Sequence, residues 1–435
     1  MKNYKMKPTD RRNFIKLSLL GLTSALAAPL MVANTPAKQK FNNYPPDFLN
    51  RFRPVYASSG SPSGQSPIAS GTNPDNPGSL TGVTGHQPGS RSGNRPSRLT
   101  GKKKKAGLAL IGLGNYSSRI LAPALQETKN VYLAGIVTGT MDNEKKWMEE
   151  YNIPRKNVYN YDNFDEIASN RDIDIIYVVL PNSMHKEFTI RASNAGKHVF
   201  CEKPMALNAE ECREMIKACR DNGVALSIGY RMQFEPYTRE VMRLGQDKVF
   251  GNVLHITCGA AFRDTRFDHW RWEKDMGGGA MMDMGVYPLQ AARYVTGEEP
   301  VRVTAQTFVT RPGKFEGVDE ATTFQLEFPG GTVASLDTGF HANFNHLYAF
   351  AEKGWFELRP FSAYSGIAGR TSEGELDFPA INQQAAQMDE EAANIMAGRP
   401  VRVPGEEGLR DMIVVDAVFE SIRTGKPVEV DLTGI

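Results

Sequence analysis

The sequence has few cysteines, and their spacing forms no framework. Cys201, Cys212, Cys219 and Cys258 are the only four in 435 residues, and they match neither a disulfide pattern nor a metal-binding motif. Cys212 and Cys219 lie about two turns apart on one predicted helix, too far along its axis for a disulfide. We expect four buried thiols and no metal site.

An excess of charge of one sign is also missing. The chain carries 51 Lys and Arg against 49 Asp and Glu, a formal net charge of +2. Nucleic-acid-binding domains usually carry a marked basic excess, so we expect no nucleic-acid partner. The basic run Lys102–Lys105 is interpreted as a solvated segment before the first strand.

Long apolar runs are confined to the N-terminus. Arg11 and Arg12 precede Phe14, and the apolar stretch 17–33 follows. This pattern is typical of a twin-arginine export signal. A membrane anchor is the alternative, but the run contains Gly, Ser, Thr and Pro and falls short of the ~20 residues that a span needs. We predict a signal peptide at 1–37, a periplasmic location and no stable membrane insertion after signal removal.

Residues 38–105 are poor in apolar side chains and rich in Gly, Ser, Pro and Asn. Such a composition buries too little apolar surface to offset chain entropy. We predict an arm or linker, whose more aromatic first part, 41–56, could dock on a neighbouring surface.

From Ala106 the pattern changes to alternating strands and helices. The β-branched run at 174–181 is typical of a strand buried on both faces of a parallel sheet. Alternation of this kind indicates right-handed βαβ crossovers. We therefore predict an α/β chain with a Rossmann dinucleotide-binding domain at 106–230.

After Tyr230 the strands follow one another more directly, and turn residues such as Pro329-Gly330-Gly331 separate the later ones. This predicts a second, α+β domain at 231–435 with a large, mainly antiparallel sheet, which would carry the substrate site and the oligomer interface.

The segment Gly112-Leu113-Gly114-Asn115-Tyr116-Ser117 follows the first predicted strand and opens a helix. Gly112 permits the tight turn, and Gly114 lets a pyrophosphate approach the backbone at the positive end of the helix. Ser117 replaces the third glycine of the motif, so the prediction depends on its position in the first βα turn. We expect Gly112, Gly114, Asn115 and Tyr116 to bind a dinucleotide.

The end of the second strand indicates which dinucleotide. An acidic residue about 20 positions on usually binds the ribose of NAD, whereas this chain has Thr138 there, followed by Lys145 and Lys146. A hydroxyl with a nearby cation suits a 2′-phosphate and favours NADP. Asp142 in the same loop keeps NAD possible, and either lysine could be a solvated helix residue.

Glu202-Lys203-Pro204 ends the fifth predicted strand, on the sheet edge where ligands of open α/β sheets bind. Lys203 can hydrogen-bond a substrate hydroxyl and favour deprotonation of a neighbouring acid–base group. Glu202 is the natural orienting partner, and Pro204 sets the chain direction through a bond that can be cis. A turn with solvated charges is the alternative.

Asp283 and Tyr287 stand four residues apart on a predicted helix and share a face. Hydride removal from a carbinol needs a base for the hydroxyl proton, and a tyrosine can serve when a cation stabilises its phenolate. Without Lys203, Asp283 could equally be a carboxylate at a helix N-terminus and Tyr287 a residue of the core. The preceding glycines, 277–279, suggest that backbone comes close to a ligand.

Other candidates are less specific, since each could equally belong to packing or surface. Side chains suited to sugar rings and hydroxyls are those of Tyr230, Arg231, Trp270 and Arg271. The fourth strand is followed by Pro181, Asn182 and His185, the last at a helix start. We expect the backbone of this segment to line the nicotinamide site.

Seven segments together resemble the Gfo/Idh/MocA oxidoreductases: GLGNY, VTG, PNSMH, AGKHVFCEKP, GYR, GGGAMMDMGVY and RPVRVPGEEGLRD. The resemblance covers 107–432 and is strongest to the glucose-fructose oxidoreductase branch, because the inositol dehydrogenase branch carries histidine at the Tyr287 position. It implies that Lys203, Asp283 and Tyr287 are catalytic, with Tyr287 transferring the proton, and that Thr138 and Lys145 bind the NADP phosphate. It also implies a homodimer or homotetramer.

Export restricts the chemistry further, because free NADP is not recycled outside the cytoplasm. Either a retained cofactor is reoxidised by a second carbonyl substrate, or the hydride is used transiently, as in the family's NAD-dependent glycosidases. We predict the first: an aldose oxidised to a lactone by an exported, NADP-retaining oxidoreductase. A non-catalytic sugar- or nucleotide-binding protein is the other alternative, and the set Lys203, Asp283 and Tyr287 argues against it.

Overall fold

The computed structural model describes residues 104–315, 317–433 and 435. The predicted export signal at 1–37 and nearly all of the predicted arm at 38–105 lie outside the described residues. Both assignments therefore stay predictions.

The first domain is built on a parallel sheet with the strand order β3-β2-β1-β4-β5-β6. Its strands are β1 Ala106–Ile111, β2 Val131–Val137, β3 Val158–Tyr159, β4 Ile175–Val178, β5 His198–Cys201 and β6 Leu226–Ile228. All five neighbouring pairs run parallel. This is the order of dinucleotide-binding sheets, in which a crevice opens at the carboxyl ends of the strands where the order reverses. The predicted Rossmann fold is confirmed.

Helices connect these strands close to the predicted positions. They are α1 Ala122–Glu127, α2 Met141–Tyr151, α3 His185–Asn194 and α4 Ala209–Asp221. The first predicted helix differs, because Ser117–Leu121 forms a π-helical turn before α1. The Ser117 hydroxyl donates to the Gly112 carbonyl at 2.5 Å, so the residue that replaces the third glycine closes the turn.

The second domain contains a nine-stranded sheet in the order β14-β13-β12-β11-β7-β10-β9-β8-β15. Its strands are β7 Val253–Ala261, β8 Arg302–Phe308, β9 Ala321–Glu327, β10 Val333–Gly339, β11 Phe344–Ala351, β12 Gly354–Leu358, β13 Gly369–Thr371, β14 Gly374–Leu376 and β15 Val428–Glu429. Only the pair of β7 and β10 runs parallel in this sheet. The predicted α+β domain with a mainly antiparallel sheet is confirmed.

The helices of the second domain pack against this sheet and back onto the first domain. The α-helices are α5 Pro236–Gln246, α6 Val286–Thr296, α7 Gln383–Met396 and α8 Gly405–Thr424, and a π-helical turn at Met281–Gly285 precedes α6. Short 3₁₀ turns occur at Arg155–Asn157, Phe164–Ser169, Asn182–Met184, Arg231–Phe234, Trp270–Trp272 and Lys274–Met276.

Helix α7 belongs to the second domain by sequence but to the first by its contacts. Met388 and Ala392 are buried in the cluster that contains residues of β1 and α1. The Asp389 carboxylate accepts hydrogen bonds from the backbone N–H groups of Lys129 and Asn130. The two domains are therefore joined by packing as well as by the chain crossing near residue 230.

All four cysteines are buried and unpaired, as predicted. Burial raises the pKa of the Cys219 thiol to about 12, so this thiol is unreactive at neutral pH.

Among the helices that the structure describes, none combines the length and apolar character needed to cross a membrane.

Candidate active site

The turns predicted to bind cofactor and substrate follow strands β1, β4 and β5. Gly112 comes directly after β1, and Glu202 directly after β5. Because the three strands are parallel neighbours, their carboxyl ends meet at one edge of the sheet. This edge is where the remaining site residues are found.

The glycine turn after β1 leaves room for a ligand. Gly112 has φ +88°, and a Cβ there would lie 2.1 Å from the Val179 carbonyl oxygen, so no side chain fits. At Gly114 the opposite holds, because no described atom lies within 4 Å of the position of a Cβ. The backbone of Gly114 and Asn115 is exposed next to the helix start. These residues fit a dinucleotide whose pyrophosphate lies on the turn.

The end of β2 presents hydroxyl groups and no carboxylate. Thr138 is buried, and its Oγ1 accepts from the Thr140 N–H at 3.4 Å. Within the described part of the chain, the buried Thr140 Oγ1 has no hydrogen-bond partner. Lys145 lies exposed on α2. A hydroxyl without a partner at the end of β2 and an exposed lysine on the following helix fit an anionic ribose substituent better than a bare ribose.

The structure brings the three predicted catalytic residues together. The Lys203 Nζ donates to the backbone carbonyl of Asp283 at 2.5 Å and lies 3.5 Å from Asp283 Oδ1. It also lies 4.8 Å from the centroid of the Tyr287 ring. The peptide bond between Lys203 and Pro204 is cis. Lysine and tyrosine therefore face each other, although they come from different domains.

Asp283 is an ionised anchor in this cluster. Its Oδ2 accepts from Arg271 Nε at 2.6 Å. Burial opposes ionisation, but the charges of Arg271 and Lys203 outweigh it and hold the pKa of Asp283 at about 2. A carboxyl group with this pKa does not exchange protons near neutral pH. It holds the two cations in place, and Tyr287 remains as the residue suited to proton transfer.

Glu202 is enclosed beneath the lysine. Its Oε1 accepts from the Tyr177 hydroxyl at 2.7 Å, and its Oε2 accepts from the Lys203 backbone N–H at 3.2 Å. Burial raises the pKa of Glu202. Gly229 makes room for this side chain, because a Cβ there would lie 2.9 Å from the carboxylate. Glu202 therefore holds the backbone of Lys203 in place. This contact fits the predicted role of Glu202 as the orienting partner of the lysine.

Two predicted substrate ligands do not reach the cleft. Tyr230 is 1% exposed and Arg231 is 2% exposed. Tyr230 lies in the core, close enough to the Asp411 carboxyl to feel its charge. The Arg231 guanidinium donates to backbone carbonyls of the second domain. This burial does not favour the predicted contact with substrate, which stays a prediction, because residue type alone does not show whether an amphipathic side chain is buried.

Two predicted cofactor ligands use their side chains to hold the protein itself. The His185 Nδ1 lies 2.9 Å from the Pro204 carbonyl, and Nε2 lies 2.9 Å from the Leu180 carbonyl. Asn182 Nδ2 donates to the Gly277 carbonyl at 2.8 Å. These contacts fix the backbone after β4, and the predicted placement of this segment along the nicotinamide site stays a prediction, with Pro181 partly exposed beside them.

The glycine run before Asp283 is packed closely against protein, and its predicted approach to a ligand stays a prediction. A Cβ at Gly278 would lie 2.4 Å from the Arg271 carbonyl oxygen, and one at Gly279 would lie 2.3 Å from Asp319 Oδ1. Asp319 accepts from the Met281 backbone N–H at 2.8 Å. These glycines allow the loop that carries Arg271 to pack against the start of the helix.

The outer side of the site contains aromatic side chains. The Arg271 Cζ lies 4.9 Å from the centroid of Trp270, and both residues are partly exposed. Sequence reasoning missed Tyr364, whose ring lies 5.9 Å from the Tyr116 ring and 4.6 Å from Arg231 Cζ. Tyr364 lies in the loop between β12 and β13, which carries no recognisable motif, so no signal in the sequence singled it out.

A Rossmann sheet with an open glycine turn and a lysine–tyrosine pair at its carboxyl edge defines a nicotinamide-dependent oxidoreductase. The chain belongs to the Gfo/Idh/MocA family. Residues 106–230 match its oxidoreductase domain with NAD-binding Rossmann fold, and residues 238–357 match its C-terminal domain.

Solved and curated relatives agree with this assignment. The crystal structure of an aldose-aldose oxidoreductase from Caulobacter crescentus, complexed with glycerol, has a TM-score of 0.73 and 39% identity, covering 75% of this chain and all of that one. A D-xylose 1-dehydrogenase (NADP(+)) from Haloferax volcanii is 28% identical over 331 residues, 74% of this chain and 99% of that protein. A 3-ketoreductase from Actinomadura kijaniata, with TDP-benzene and NADP bound, shares the fold at TM-score 0.65 and 24% identity, over 73% of this chain and 98% of that one.

Proposed function

We propose that this protein is an exported, NADP-dependent sugar oxidoreductase that oxidises an aldose to its lactone and keeps its cofactor. A second carbonyl sugar would then reoxidise the cofactor. The observation that carries the proposal is the meeting of Lys203, Asp283 and Tyr287 at the carboxyl edge of the Rossmann sheet.

The chemistry divides between cofactor and protein. A nicotinamide dinucleotide held on the turn at Gly112 and Gly114 would supply the hydride acceptor for the carbinol carbon of the aldose. Tyr287, as phenolate, takes the proton of the same hydroxyl group, so that the C–H and O–H bonds break and a C=O bond forms. Lys203 donates to the substrate oxygen and stabilises the phenolate. Arg271 and Asp283 hold the ammonium group of Lys203 against this oxygen.

The choice of NADP is supported by the end of β2. A buried Thr138, an unsatisfied Thr140 hydroxyl and an exposed Lys145 offer donors to a 2′-phosphate, and no carboxylate ends the strand to repel it. The Haloferax relative is an NADP(+) enzyme by name, which agrees with this choice.

The substrate class is supported by the site and by its relatives. Trp270 and Arg271 on its outer side present an aromatic face and hydrogen-bond donors, the groups that bind sugar rings and hydroxyls. The relatives from Caulobacter and Haloferax act on aldoses and on D-xylose by name. The aldose-aldose activity suggests that a second aldose could serve as the oxidant.

The N-terminal leader supports export and cofactor retention. The twin-arginine pattern before 17–33 is the route of proteins that fold before crossing the membrane, and a folded Rossmann domain can carry its dinucleotide along. Because NADP is not recycled outside the cytoplasm, many turnovers then require a second sugar to restore the oxidised form.

The proposal is tested by identifying the dinucleotide that co-purifies with the full chain, by mass spectrometry, and then adding sugars in sequence. We expect NADP, reduced on addition of an aldose and reoxidised on addition of a second carbonyl sugar, as followed by the absorbance of reduced nicotinamide. Absorbance that stays unchanged with every aldose, or release of an aglycone from a chromogenic glycoside without net reduction, would contradict it.

A further inference from the structure

We propose that Arg231 is a positioning residue, a buried cation that stabilises the phenolate of Tyr287. This inference rests on the proposed function, because it assigns proton transfer to Tyr287. It gives Arg231 a role other than the sugar ligand that its residue type predicts.

Arg231 is buried next to the predicted proton-transfer residue. The residue follows β6 and is 2% exposed. Its Cζ lies 5.3 Å from the centroid of Tyr287 and 4.6 Å from that of Tyr364. The guanidinium is therefore enclosed between the proton-transfer tyrosine and a second tyrosine that separates it from solvent.

Among the described residues, Arg231 forms no ion pair. Its hydrogen bonds go to uncharged acceptors, which are the carbonyls of Ser362 and Ala363, the amide oxygen of Gln383 and the sulfur of Met232. Within the described residues, the buried Nε has no hydrogen-bond partner. A buried cation of this kind is costly unless an anion forms next to it. The nearby group that forms an anion in the proposed reaction is the phenol of Tyr287.

Two cations thus flank one phenol. Lys203 lies 4.8 Å from the ring centroid and Arg231 lies 5.3 Å from it. Lys203 is tied to Asp283, which offsets part of its charge, whereas Arg231 has no such contact. The structure therefore assigns to Arg231 a larger share of the field at Tyr287 than its distance alone would suggest.

Other charged and titratable groups contribute to this field, and they come from every element around the site. Those that interact with Tyr287 or Arg231 are Lys203, Glu202, Glu235, Tyr116 and Tyr364, and Asp283 acts on Tyr364. The two glutamates are the acids that feel Arg231, but each is hydrogen-bonded elsewhere, Glu202 to Tyr177 and Glu235 to the Thr238 N–H.

The test measures the phenol itself. The full-length protein is titrated by ultraviolet difference spectroscopy, with Tyr287→Phe subtracted to isolate Tyr287. In Arg231→Met we expect the titration of Tyr287 to move to higher pH by about one unit or more. The pH profile of nicotinamide reduction should move in the same direction, and Arg231→Lys should restore part of the shift.

A second variant covers the case in which Arg231→Met does not fold. Gln383→Glu keeps the guanidinium in place but gives it an acidic partner, and it should also shift the titration upwards. A titration that stays in place in the folded variants would overturn the proposal. Failure of the sugar reaction would contradict the proposed function. The titration would still be interpretable, because it needs no turnover.

Discussion

At the residue scale, the site depends on the pairing of charges around one buried carboxylate. Asp283 binds Arg271 Nε at 2.6 Å and lies 3.5 Å from Lys203 Nζ. Removing a partner of a buried charge costs more than removing an exposed one, because the remaining charge keeps its desolvation penalty. The ionised state of Asp283 should therefore be visible in the stability of the whole protein.

Asp283→Asn should lower the free energy of unfolding, and the loss should depend on pH. The pKa of Asp283 is about 2 in the folded protein and about 4 in an unfolded chain. A lowered pKa stabilises the fold above the unfolded value, and this contribution disappears as pH falls through the folded value. We expect a loss of about 2 kcal/mol, equal at pH 8 and pH 6 and smaller towards pH 3.

Urea denaturation of wild type and Asp283→Asn at several pH values measures this difference. Asp221→Asn is the matched control, because Asp221 pairs with Lys217 on an exposed surface and should change stability little. A difference that grows as pH falls would contradict the assignment of an ionised anchor.

The convergence of Lys203 with Asp283 and Tyr287 could be predicted from sequence. The charged pair at the end of a strand places Lys203 at the carboxyl edge of the sheet. The spacing of four places Asp283 and Tyr287 on one face of a helix. The burial of Tyr230 and Arg231 could not be predicted, because their neighbours are distant in sequence. Arg231 contacts the loop at Ser362 and α7, and Tyr230 lies near Asp411 on α8.

At the element scale, helices α6 and α8 are joined by a buried ion cluster behind the site. Arg293 on α6 binds Asp411 on α8 at 2.5 Å between Nη1 and Oδ1, and both side chains are buried. Arg293 also binds Glu299 and Glu407. Because Tyr287 lies near the start of α6, this cluster helps to set the position of the catalytic helix.

Arg293→Met should lower the free energy of unfolding at pH 7 by about 3–5 kcal/mol, since it leaves the buried Asp411 without its cation. Burial raises the pKa of Asp411 to about 6, above its unfolded value. A raised pKa penalises the charged form, so the loss should shrink as pH falls from 7 to 5.

Guanidinium denaturation at the two pH values measures both effects. The control is Arg302→Met, which breaks a half-exposed pair with Glu327 and should cost at most about 1 kcal/mol. Equal losses in the two variants would show that the buried cluster does not tie α6 to α8.

Strong, regular elements could be predicted, and short or irregular ones could not. The bounds of β2 and β5 follow directly from apolar runs between turn residues. The two-residue strands β3 and β15 and the π-helical turns have too few residues to produce a periodic signal. The packing of α7 on the first domain was also missed, because an amphipathic helix does not indicate which partner covers its apolar face.

At the scale of the whole molecule, the two domains meet so that residues from both form the candidate site. Lys203 follows β5 of the first domain, and Tyr287 lies near the start of α6 in the second. The leader, the arm and the oligomer lie outside the described residues or involve other chains, so they remain predictions. The contact of lysine with tyrosine does not depend on them.

The central claim is that Lys203 and Tyr287 together carry out proton transfer beside the bound nicotinamide. The most direct measurement is the rate of nicotinamide reduction in a single turnover, after rapid mixing of an aldose with protein of known cofactor content. Tyr287→Phe and Lys203→Ala are compared with wild type, and Lys217→Ala, an exposed lysine, is the control. We predict that each site variant reduces bound cofactor about 10²–10⁴ times more slowly with unchanged cofactor content, whereas reduction at the wild-type rate in Tyr287→Phe would contradict the account.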